Sequence, residues 1–127
     1  MPAWNDYKAD AKQRGALALE LYVVQSEPAA SPEIMKQHLP DHLAYQSEQE
    51  KLGNLVMAGP MSDASGDLME GVGLIIYRAE SLDAARAIAD NDPMHRTGTR
   101  SYSIRRWLVN EGSLSINVKL SAQSVTL

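Results

Sequence analysis

The 127-residue sequence contains no cysteine. That absence removes disulfides, thiolate nucleophiles and thiolate metal ligands together. There is no block of Lys or Arg either, and the formal net charge is -4, so the positive field that gathers phosphate backbones or anionic lipid is missing. Nucleic acid is not an expected partner. No apolar run approaches the roughly 20 residues needed to cross a bilayer, and the first fourteen residues are polar and mixed in charge, unlike a secretory leader. The expectations are no membrane and a cytoplasmic address. Internal repeats and low-complexity tracts are also lacking. The remaining composition, 44% hydrophobic and 22% charged, is that of a folded globular chain with room for one core.

Alternation with a period of two over Leu17, Leu19, Leu21 and Val23 predicts a first strand. Ser31-Pro32-Glu33 then has the cap residue, the proline and the acid that start a short helical turn. Pro40 is expected to end that turn and to open the main helix, which runs to about Leu52 before the Gly53-Asn54 stop. Leu55 to Ala58 reads as a second strand, Gly59 to Gly71 as an exposed loop, and Val72 to Arg78 as a third strand. Leu82, Ala85, Ile88 and Ala89 recur at helical spacing behind Ser81, and Asn91-Asp92-Pro93 turns that helix off. Tyr102 to Val109 is the last conventional strand. Strand, helix, strand, strand, helix, strand is the ferredoxin-like βαββαβ order, an α+β fold with two helices on one face of an antiparallel sheet. Residues 1–16 form an N-terminal extension, 17–112 the domain, and 113–127 a tail in which Leu114, Ile116, Val118 and Leu120 alternate as an added strand.

The face away from the helices is expected to carry Tyr22, Val24, Ile75, Tyr77, Trp107 and Val109, more apolar area than a monomer leaves wet. A self-complementary pairing of two such faces predicts a homodimer. Folding of either terminus over the same face is the alternative, and the tail strand could extend its own sheet or reach the partner.

Histidine is the side chain best suited to move protons near neutral pH, and there are three. Antiparallel helices place the start of the first, with His42, beside the end of the second, with Asp92. A carboxylate there would fix the imidazole tautomer, the arrangement of a general base and its orienter. A first-turn histidine held by a neighbour, and an Asp that caps the turn before a proline, would also suit these positions without chemistry. His38 and His42 stand four apart, but Pro40 between them argues against one continuous helix and hence against a shared metal-binding face. No metal is expected. His95 is assigned to the pocket wall. Of Arg105 and Arg106, which alternate on the last strand, Arg106 is assigned to hold a substrate carboxylate, although pairing with a surface acid would serve as well.

Asp41-His42-Leu43 opening a helix, Ala58-Gly59-Pro60 ending a strand, and Ala89-Asp90-Asn91-Asp92-Pro93 closing the second helix together resemble the YciI-like (YCII-related) proteins. The likeness covers roughly Leu19 to Val109. It implies a dimeric α+β barrel whose active-site dyad falls on His42 and Asp92, with Gly59 and Pro60 at the substrate pocket. It also implies kinship with muconolactone-isomerase-like and dehydrochlorinating proteins that need no metal or organic cofactor. The N-terminal extension and the tail depart from compact members. The function expected is thus a cofactor-free lyase or isomerase acting on a small cyclic or carboxylated metabolite. The alternatives are a non-catalytic ligand-binding or accessory dimer and, on the same barrel, a haem monooxygenase needing an axial histidine.

Overall fold

A strand persists where alternate side chains find a buried face, and in the computed structural model, which describes residues 1–127, that rule sets the sheet. Strand β1 (Leu19–Pro28) pairs antiparallel with β3 (Gly73–Tyr77), placing Tyr22 opposite Tyr77 and Val24 opposite Ile75. Strand β2 (Leu55–Pro60) pairs antiparallel with the other edge of β3, with a bulge between Leu55 and Met57. Strand β4 (Arg100–Val109) completes a four-stranded antiparallel sheet of order β2-β3-β1-β4. This is the ferredoxin-like arrangement, with the helices on one face.

Helix α2 (Pro32–Lys51) begins at Ser31, whose hydroxyl accepts from the Ile34 amide, and runs unbroken for 20 residues. The break expected at Pro40 does not occur. A proline inside a helix costs about 3 kcal/mol because it removes one hydrogen bond and crowds the preceding turn. Pro40 stands on the exposed side, where water can satisfy the carbonyl it leaves free. Helix α3 (Leu82–Asn91) is capped by Ser81, which accepts from the Ala84 amide at 3.0 Å. Pro93 disfavours a helical conformation in the residue before it. Asp92 accordingly leaves the helix (φ -61, ψ 126) and becomes the N-cap of a short helix, α4 (Pro93–Arg96).

The core lies between sheet and helices and joins Tyr22, Val24, Ile75 and Tyr77 to Ala85 and Ala89 of α3. This reverses the facing expected for those four strand residues. Tyrosines flanked by small helix residues fill the helix side, while Val23, Leu74, Ile76 and Trp107 line a shallow apolar hollow of about 480 Å³ with Met57 and Met61 on the open side. Trp107 is 44% exposed there.

The chain divides into two compact units, Glu20–Trp107 and the two terminal segments Met1–Leu19 with Leu108–Leu127. In the terminal unit, helix α1 (Trp4–Gln13) buries Ala11, and the Leu17 amide donates to the Asn110 carbonyl at 3.0 Å. The tail does not form a single added strand. Strands β5 (Asn117–Lys119) and β6 (Ser124–Thr126) pair with each other as a two-stranded hairpin, turned by Gln123 at φ +49. No helix is long and apolar enough to cross a membrane.

Candidate active site

Continuity of α2 through Pro40 sets the site. It puts Leu39, His42, Leu43, Gln46 and Glu50 on one face at spacings of three and four, and that face borders a cavity of about 710 Å³. Across the cavity lie β2 from Leu55 to Pro60, Gly73 to Ile75 of β3, Met94 and Arg100. Gly59 and Pro60 are therefore on the wall.

His42 and Asp92, 50 residues apart in sequence, meet at the end of α3. His42 Nδ1 lies 2.9 Å from Asp92 Oδ1 and 2.8 Å from Oδ2. The carboxylate is fully buried and the imidazole is 21% exposed. An ionised carboxylate only accepts, so Nδ1 carries the hydrogen and Nε2, which has no hydrogen-bond partner, presents its lone pair. Asp92 also accepts from Gln46 Nε2 at 3.2 Å and from the Met94 amide at 3.0 Å. Burial pushes its carboxyl up, yet the hydrogen bond and charge of His42, with the Met94 amide, more than offset this and hold it below the usual carboxylate value. Beside this pair, Gln46 Oε1 and the Tyr77 hydroxyl are buried. Burial, together with the Asp92 charge, holds the Tyr77 hydroxyl well above its ordinary value.

A second polar cluster stands on β1 and β4. His95 Nδ1 donates to the Ala89 carbonyl at 2.8 Å, which fixes Nε2 as the acceptor for the Ser26 hydroxyl, also at 2.8 Å. Arg100 Nε donates to Ser26 Oγ at 2.9 Å, and its Nη2 donates to the carbonyls of Ser26 and Gly71. Gly71 has φ +96, and a Cβ there would come within 2.7 Å of the Pro28 ring, so only glycine lets the chain pass this close. Burial lowers the His95 pKa despite the Ala89 hydrogen bond and so favours the neutral ring.

The structure thus brings His42, Asp92, Gly59 and Pro60 to one region. His95 is not on the cavity wall but behind Ser26, its ring against Tyr102 at 4.7 Å. Arg106 is exposed and away from the cavity, and Arg100 is the arginine on the wall. Arg100 lies just before the strand that the sequence predicts from Tyr102, and Ser26 lies beyond the alternation over Leu17 to Val23, so neither carries a sequence signal that marks it. Gln46 had a usable signal, four residues after His42 on the same helix. His38 and His42 do share one helix, contrary to the argument from Pro40, but no three His, Asp or Glu side chains cluster as metal ligands.

The YCII-related domain model matches residues 18–108. The chain belongs to that family. It is 29% identical over 72 residues to the uncharacterized protein YjpA of Bacillus subtilis, a match covering 57% of this chain and 78% of that protein. Among solved structures, it is similar to the 5-chloro-2-hydroxyhydroquinone dehydrochlorinase of Burkholderia phenoliruptrix in complex with 2,5-dihydroxybenzoquinone. That likeness has a TM-score of 0.56 at 21% identity and covers 68% of this chain and 92% of the enzyme. At this identity it bears on the fold.

Proposed function

We propose that this YCII-related protein is a lyase or isomerase for a small cyclic or carboxylated metabolite, with His42 as general base and Asp92 as its positioning residue. The observation that carries this reading is the buried Asp92 carboxylate on His42 Nδ1, which leaves the free Nε2 on a residue of the cavity wall. Nε2 would take a proton from a carbon or hydroxyl of the substrate. The electron pair left behind would form a double bond as a leaving group departs, or the imidazolium would return the proton to another carbon. As the ring becomes charged, the Asp92 carboxylate stabilises it. The structural neighbour acts on a chlorinated, hydroxylated ring, and chlorinated hydroxyquinols are the first compounds to test, with chloride release as the readout. His42→Ala should remove turnover while circular dichroism stays native, and Asp92→Asn should lower the rate sharply. Unchanged turnover in both folded variants would leave a pocket that only holds a ligand.

We propose further that a second copy covers the open sheet face around Trp107, because the hollow there is apolar and half-exposed. Light scattering at micromolar concentration should show a dimer. Trp107→Glu should then yield a folded monomer, and a wild-type monomer would refute the pairing.

A further inference from the structure

Arg100 is a half-buried cation whose contacts include no carboxylate. Guanidinium groups are rarely withdrawn from water without an anion beside them. Asp92 and Glu27 act on it only through space, and burial still lowers its pKa. Asp92 is already committed to His42, Gln46 and the Met94 amide, and Glu50 on the same wall is exposed to solvent.

The donor inventory shows what is free. Of five N–H groups, the Nε hydrogen goes to Ser26 Oγ and both Nη2 hydrogens go to backbone carbonyls. Nη1 has only the Met35 sulfur, 3.7 Å away and a weak acceptor. Ser26 cannot turn its hydroxyl hydrogen toward the cavity, because the His95 ring accepts it. The cluster therefore holds the guanidinium rigidly by one edge and leaves Nη1 uncommitted on a residue of the largely apolar cavity wall.

We propose that Arg100, through Nη1, is the specificity-determining residue of the cavity and selects ligands bearing an ionised oxygen, a carboxylate or an acidic ring hydroxyl. This rests on the reading of the cavity as a small-molecule site, but not on His42 being a base. An anion held there would be fixed at the end of the cavity formed by Ser26 and Gly71. A charge-assisted hydrogen bond in such surroundings is worth a large factor in affinity.

The test is binding alone. Calorimetric titration should show 2,5-dihydroxybenzoquinone, an anion at neutral pH, and benzoate binding about tenfold or more tightly than uncharged hydroquinone. Arg100→Gln should erase that preference, Arg100→Lys should keep part of it, and His42→Ala should leave it intact. If Arg100→Gln fails to fold, nitrogen-detected NMR of the wild type decides, since the Arg100 Nη resonances should move with either anion and not with hydroquinone. Equal affinity for charged and uncharged probes, no binding of either anion at millimolar concentration, unmoved Arg100 resonances, or a preference lost in His42→Ala would each overturn the assignment. Loss of turnover in His42→Ala with the anion preference retained separates the two proposals, and so does the reverse.

Discussion

Helices α2 and α3 share one face of the same sheet, yet they use it differently. Helix α3 presents Ala85 and Ala89, both fully buried, and these small side chains let it settle directly on Tyr22, Val24 and Tyr77. Helix α2 presents Leu39 and Leu43, 42% and 57% exposed, and of its 20 residues only Gln49 is buried. Close packing on one side stabilises the fold, whereas on the other a cavity takes the place of the core. Concave, mainly apolar clefts with a few fixed polar groups are where small ligands bind. One half thus holds the molecule together and the other leaves an open cavity.

The contrast can be broken most forcefully in the packed half. Tyr22→Ala removes a fully buried ring and should cost about 3 to 5 kcal/mol of stability, measured by urea unfolding. Ala89→Leu asks the tight seam to accept a larger side chain and should cost about 1 to 3 kcal/mol. Acid should sharpen the comparison by acting through the two polar clusters. His95 has a lowered folded pKa, so its contribution is complete above its unfolded value of about 6.5 and is lost as pH falls through the folded one. Asp92 is also lowered, and its contribution is complete above about 3.9 and fades further down. Thermal stability should therefore decline in two steps on acidification. His95→Gln should flatten the upper step and Asp92→Asn the lower. The smallest effect is expected at Leu43→Ala, within about 0.5 kcal/mol, because that side chain faces the cavity and solvent and not a packed neighbour. A large loss there would mean that the cavity half also carries the fold.

Much of this division is legible in the amino-acid sequence. The element order, the closing of α3 at Asn91-Asp92-Pro93 and the meeting of His42 with Asp92 follow from strand alternation, proline chemistry and antiparallel helices. Which face of the sheet is dry is not legible, because Tyr22, Val24, Ile75 and Tyr77 suit either side, and only the small residues of α3 decide it. Pro40 misleads because local propensity counts its lost hydrogen bond but not the solvent that compensates for it. The hairpin at residues 117–126 shows the opposite limit. One alternating run signals a strand but does not name the strand it will pair with.

The 50-residue separation of His42 and Asp92 has a kinetic consequence. Bringing together groups so far apart along the chain must await formation of β2, β3 and α3 between them, since loop-closure entropy opposes the contact until other interactions support it. The His42–Asp92 pair is then among the last features to appear during folding and the first to be lost. A ligand seated against it would find nothing to bind in the transition state. Such a ligand should slow unfolding in stopped-flow traces and leave the refolding rate unchanged.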